Sequence, residues 1–156
     1  MKRILSLLII LAISITALAS CDLVSIFGKV EDEGNVTVVV EAVDGSYEVY
    51  KTYLESVENK EEGAKGVVEH LNKSDDNLHL VMEDSTYGAF VSEIGSIKQD
   101  ASKSEYIMVY TSIASDSYEG APSVDYEGVT LYQSGVGLSG MKVEDGIVIL
   151  FRIEAY

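Results

Sequence analysis

Apolar positions along this chain recur with three different periods. From Ile4 to Ala19 they form one uncharged run with no period at all. Residues 35–43 (NVTVVVEAV) and 47–54 (YEVYKTYL) instead alternate, and the first is rich in β-branched side chains. Period 2 with such residues predicts strands. Asp44-Gly45-Ser46 between them is a turn signal, so the two runs are expected to pair as an antiparallel hairpin. Residues 60–73 change period. Ala64, Val67, Val68 and Leu71 fall at i, i+3, i+4 and i+7, which predicts a helix with one apolar stripe. Glu61 and Glu62 are expected in its first turn, where the helix dipole favours acids. Gly63 and Gly66 weaken it, so it must rely on packing against a sheet. Period 2 then returns at 78–83, 89–94, 105–113, 129–132 and 147–154, with a polar insertion at 114–128 holding the only Pro. The last strand sets Ile147, Ile149, Phe151 and Ile153 against Val148, Leu150, Arg152 and Glu154. The order β-β-α-β-β-β-β-β predicts an α+β domain over 35–156, β-grasp-like, with one short helix packed on a mixed or antiparallel sheet.

The opening run has a separate meaning. Lys2 and Arg3 precede it, and a basic start followed by a short apolar stretch is the form of an export signal. It is short for a stable membrane span, which needs roughly 20 apolar residues. It ends in Leu18-Ala19-Ser20-Cys21, which resembles the bacterial lipobox of an aliphatic residue, two small residues and Cys. The resemblance implies a signal peptide over 1–20, a diacylglyceryl group on the Cys21 thiol and cleavage just before it. Residues 21–34 then read as a lipidated tether, and its acids Glu31-Asp32-Glu33 as a solvated spacer. Acyl chains at about 0.8 kcal/mol per buried CH2 would hold the protein on the extracytoplasmic face of the cell membrane.

Composition narrows the partners. The chain has 156 residues, 11 Lys+Arg against 26 Asp+Glu, and a formal charge of -15. Phosphate binding needs basic clusters, so nucleic acid is not expected as a partner. The single Cys leaves no disulfide framework and no multi-Cys metal site. At 47% hydrophobic residues the chain is too apolar for a disordered acidic protein. Removing residues 1–20 takes away Lys2 and Arg3 but no acid, so 156 − 20 leaves 136 residues and -15 − 2 leaves -17.

Candidate chemistry is sparse. His70 and His79 have no Cys or acid at ligand spacing and read as surface or boundary residues. Residues 135–140 (GVGLSG) match G-x-G-x-x-G after a strand, but a dinucleotide loop must open a helix inside a βαβ unit. Only Met141 to Asp145 separate these glycines from the turn before the last strand, so they are expected to shape a wide loop. Ser139 lacks the second Gly of a nucleophile elbow, since Met141 stands there. No pattern calls for an enzyme, a metal or a bound cofactor. Tyrosine, by contrast, is in excess, with ten residues. Tyr106, Met108 and Tyr110 share one strand face, and Ile107, Val109 and Thr111 the other. One of these faces must cover the helix, and the other is a candidate open face. Tyr suits pockets and interfaces because its ring is amphipathic.

The order of motifs over 67–153 resembles the C-terminal β-domain of transcobalamin and intrinsic factor, and bacterial surface domains of that plan. The segments that carry it are Val67 to Leu71, Tyr87 to Gly95 (YGAFVSEIG), Tyr106 to Tyr110, Leu131 to Leu138 (LYQSGVGL) and Val143 to Ile147. Ile107 stands in the strand where the family usually carries a Trp. The resemblance implies an α+β, β-grasp-like domain that caps one face of a cobalamin-like ligand. The expected ligand surface comprises Tyr87, Gly88 and Phe90, the strand residues Tyr106, Met108, Tyr110 and Thr111, and the loop residues Gln133, Ser134 and Gly135. Few polar groups among several aromatics is the usual make-up of a small-molecule site. The expected role is capture of that ligand outside the membrane and hand-over to a vitamin transporter or second binding protein. The alternative is a surface interaction module that takes protein or glycan on the same face or on a strand edge.

Overall fold

A computed structural model describes residues 35–86 and 88–156. The readings of 1–20 as signal, 21–34 as tether, Cys21 as lipid site and Tyr87 as ligand contact lie outside the described residues.

The first two strands, β1 (Val36–Glu41) and β2 (Tyr47–Thr52), form the expected antiparallel hairpin, with Val36 opposite Thr52 and Glu41 opposite Tyr47. The Asp44 carboxylate braces the connection by accepting from the Ser46 amide at 2.9 Å and its hydroxyl at 2.7 Å. The helix is shorter than expected. Lys60–Glu62 is a 3-10 turn, Gly63 breaks it at φ +65°, and α1 runs Ala64–Ser74. Glu61 and Glu62 therefore precede the α-helix instead of filling its first turn. The predicted stripe of Ala64, Val67, Val68 and Leu71 is buried. Gly66 is buried with it. A Cβ there would stand 2.0 Å from the Asn59 carbonyl oxygen, so the missing side chain lets the preceding turn close on the helix.

The remaining strands divide between two sheets where one was expected. β3 (Val81–Ser85), β4 (Gly88–Ile94) and β5 (Ile97–Lys98) form a small antiparallel sheet in that order. β3 starts three residues after the predicted 78, because Asp76–Leu78 makes a 3-10 turn and His79 takes a left-handed conformation. β6 (Glu105–Thr111), β7 (Ser123–Tyr126), β8 (Val129–Gln133) and β9 (Val148–Ala155) join the hairpin in a six-stranded sheet ordered β2-β1-β9-β6-β8-β7. β7 lies in the segment expected to be a polar insertion, where no strand was assigned. The β1–β9 pair is parallel and every other pair antiparallel. A hairpin, a helix and a last strand that returns beside the first is the β-grasp-like arrangement expected from the element order.

The alternation of β9 builds two cores. Ile147, Ile149 and Phe151 join Val36, Val38, Val40 and the α1 stripe in the principal core, which also takes Ala89, Val91 and Ile94 from the small sheet. Val148 and Leu150 point the other way and meet Val39, Tyr110, Tyr126 and Leu131 in a second core. The large sheet curls around this second core. Tyr47 on edge strand β2 and Tyr126 on the opposite edge strand β7 meet edge to face, with ring centroids 5.2 Å apart.

Candidate functional site

The face of the large sheet that turns away from α1 is apolar in its middle and polar at one end. Register fixes this. On β6, Tyr106, Met108 and Tyr110 lie opposite Glu154, Arg152 and Leu150 of β9. Val39 of β1 lies beside Leu150, and Glu41 is opposite Tyr47. Val39, Leu150 and Tyr110 are buried in the second core, whereas the end built from Tyr106, Met108, Arg152, Glu154 and Glu41 is only partly covered. Tyr106 is 38% exposed, and its ring lies 6.5 Å from that of exposed Tyr156.

One carboxylate organises this end. Glu154 accepts from the Tyr110 hydroxyl at 2.5 Å and from the Tyr156 hydroxyl at 3.2 Å. Burial, reinforced by the Glu154 charge, pushes the Tyr110 hydroxyl well above the ordinary tyrosine range. The Arg152 guanidinium lies between two acids, with Nη1 3.4 Å from Glu41 and Nε 3.6 Å from Glu154. Its Nε is buried and has no hydrogen-bond partner among the described residues. A cleft of about 420 Å3 opens past Arg152 at the strand ends, between the β1–β2 connection and the segment holding Lys98, Lys103 and Glu105. Three of the domain's cations thus line one hollow in an acidic molecule.

The residues expected from the sequence are distributed unevenly around this face. Tyr106 and Met108 belong to it. Tyr110 and Thr111 are 1% and 0% exposed, and Thr111 spends its hydroxyl on the Ile113 amide at 3.1 Å. Gln133 adjoins the face, with Nε2 3.2 Å from the Met108 sulfur and Oε1 accepting from the Tyr118 hydroxyl at 2.9 Å. Ser134 donates its amide to Val109 and its hydroxyl to Val136, both at 2.8 Å, and Gly135 donates its amide to the Asp116 carbonyl at 2.8 Å. The glycine loop is therefore clasped to β6 and to the 116–118 segment, and ends in a 3-10 turn at Leu138–Gly140. Gly88, at φ +106°, backs onto the same loop. A Cβ on it would lie 3.0 Å from the Gly137 Cα, which brings the two sequence motifs together at their backbones. Phe90 is 52% exposed but lies on the outer face of the small sheet, apart from Tyr106. Ile107 packs on the principal core, so the open face takes its aromatic character from Tyr106. His79 is exposed beside Glu93 at 3.1 Å, and no group of three His, Cys, Asp or Glu among the described residues is placed to hold a metal.

Arg152, Glu154, Glu41 and Tyr156 were missed as members of the face. For Arg152 and Glu154 the signal was the alternation of 147–154, which puts both on the side opposite the principal core.

The fold and the face define an α+β domain with a curled mixed sheet and a tyrosine-bearing open end. No protein-family model matches the chain, and no curated protein matches it. Solved structures do. A candidate metal-binding protein from Ruminococcus gnavus matches with a TM-score of 0.55 at 18% identity, covering 80% of this chain and 99% of that one. Haptocorrin in complex with Cbi matches with a TM-score of 0.52 at 16% identity, covering 78% of this chain and 25% of haptocorrin. Haptocorrin is of the transcobalamin family, so the fold expected from the motif order is the fold observed. At these identities the likeness is one of fold, and the chain spans about a quarter of haptocorrin's length.

Proposed function

We propose that the protein is a lipid-anchored extracytoplasmic binding protein that captures a small, cobalamin-like ligand on its open sheet end and passes it to a membrane transporter. The observation that carries this reading is the partly open end of the large sheet. There Tyr106, Met108 and Tyr156 offer apolar and aromatic contact around Arg152, beside a cleft of about 420 Å3. That volume falls within the roughly 300–1,000 Å3 of small-molecule sites. The Arg152 guanidinium is held in place by two carboxylates and is suited to a carbonyl or carboxylate of the guest. The likeness of fold to a quarter of haptocorrin, solved in complex with Cbi, supports the ligand class. No chemistry is needed on the protein, since capture and release suffice. Titrating residues 22–156 with cobalamin and with Cbi, read by the corrinoid visible spectrum, tests it. A saturable spectral change is expected, and its absence at high micromolar ligand overturns the corrinoid reading.

A further inference from the structure

The two edges of the large sheet face each other through Tyr47 and Tyr126, but the small sheet has an edge, β3, that faces no further strand among the described residues. β3 pairs only with β4. Every second residue of such a strand directs its N–H and C=O away from its neighbour, which is a template for another strand. Beside this edge runs a groove of about 280 Å3. One wall is Lys65, Glu69 and Asn72 of α1, spaced i, i+4 and i+7, and the other is Leu80, Met82 and Asp84, spaced i, i+2 and i+4. A helix stripe and a strand face therefore run along the same channel. The helix already serves this edge at one point, since the Asn72 side-chain oxygen accepts from the Leu80 amide at 2.9 Å.

Charge selects the occupant. Glu69 and Asp84 line the groove, Glu83 lies on the other face of β3, and the groove's one cation, Lys65, is held by Glu62 at 3.2 Å and Asp84 at 3.4 Å. Asp84 remains 78% exposed, and Val81 and Phe90 are exposed on this sheet. A second copy of the chain would bring Glu83 and Asp84 against like charge. We propose that the outer edge of β3 is a docking site for an extended, basic segment of a partner protein, which adds a fourth strand to the small sheet. Lys or Arg side chains of the guest would enter the groove toward Glu69 and Asp84, and its alternate apolar side chains would lie on the other face beside exposed Val81. This surface stands independently of ligand capture at the Tyr106 end.

The test uses the isotope-labelled full chain in detergent micelles and an acetylated peptide of alternating Lys and Val. A twin peptide, N-methylated at alternate residues, keeps the charge but cannot form a strand ladder. Saturable amide shifts are expected at Val81–Asp84 and at Lys65, Glu69 and Asn72, weakening with salt. The twin is expected to bind more than about tenfold more weakly. The Glu83→Lys, Asp84→Lys double variant, altered only at exposed side chains, is expected to weaken the unmethylated peptide by about tenfold. Equal binding of both peptides, shifts elsewhere, or no binding overturns the proposal. So do shifts at β3 that grow with protein concentration alone, which mark self-pairing.

Discussion

At the scale of single residues, the tyrosines of this protein do opposite jobs. Tyr106 presents its ring to solvent, whereas Tyr110, four residues further along the same strand face, is buried and spends its hydroxyl on Glu154. Tyr50 is similar, half a sheet away, with its hydroxyl 3.1 Å from Glu48. Burial first, and then the adjacent carboxylate, raises the pKa of both hydroxyls in the folded state. The sign follows from linkage. A raised pKa means the folded state holds the proton more tightly than the unfolded one, so the contribution is present below the ordinary value of about 10 and is lost as pH rises beyond it. Alkaline titration followed by tyrosinate absorbance is therefore expected in two stages, the exposed tyrosines first and Tyr50 and Tyr110 only as the fold opens. Tyr110→Phe should shrink the late stage. A single stage near the ordinary tyrosine value would contradict the placement of both hydroxyls.

At the scale of elements, packing decided what local propensity left open. Gly66 costs the helix about 1 kcal/mol relative to Ala by propensity alone. Yet a Cβ there meets Asn59 backbone at 2.0 Å, and forcing extra volume into a packed site costs about 1–3 kcal/mol. Gly66→Ala is thus expected to lower the thermal midpoint, and a rise would show that the 59–62 turn can move away freely. The same contrast explains what was legible beforehand. The stripe of α1 and the alternation of β9 were read correctly because each repeats long enough to define a period and each has one buried side. β5 was not, because two residues hold no period. β7 was missed because Ser123 and Asp125 flank its two inward residues, Val124 and Tyr126, in a polar stretch after Pro122. The helix start was misplaced because Gly63, at φ +65°, ends the 3-10 turn where helical periodicity continues unbroken. For the site, Tyr106 and Met108 followed from alternation along one strand. Their company of Arg152 and Glu154 depends on the antiparallel pairing of β6 with β9, and that of Glu41 on the parallel pairing of the first strand with the last, which only tertiary contact sets. The curl that joins Tyr47 to Tyr126 has the same origin.

At the scale of the whole molecule, charge and attachment act together. A net charge of -15, and -17 for a chain starting at Cys21, is repelled by anionic lipid and holds an acidic domain off the membrane surface. On the proposed reading only the acyl chains on Cys21 tie it there. Cys21→Ala is expected to leave the precursor unprocessed and to keep lipid label off the protein, and normal labelling of that variant would remove the anchor from the account. The proposed ligand face belongs to the scale of the curled sheet, whose middle is filled by its own core and whose Tyr106 end is only partly covered. The most direct measurement compares the wild-type chain and Tyr106→Ala in parallel titrations with Cbi, read by the visible spectrum of the ligand. Loss of one partly exposed aromatic contact worth about 1.4 kcal/mol should weaken binding roughly tenfold while leaving the fold intact. No spectral change with the wild type, or identical curves for the two proteins, would contradict capture at the Tyr106 end.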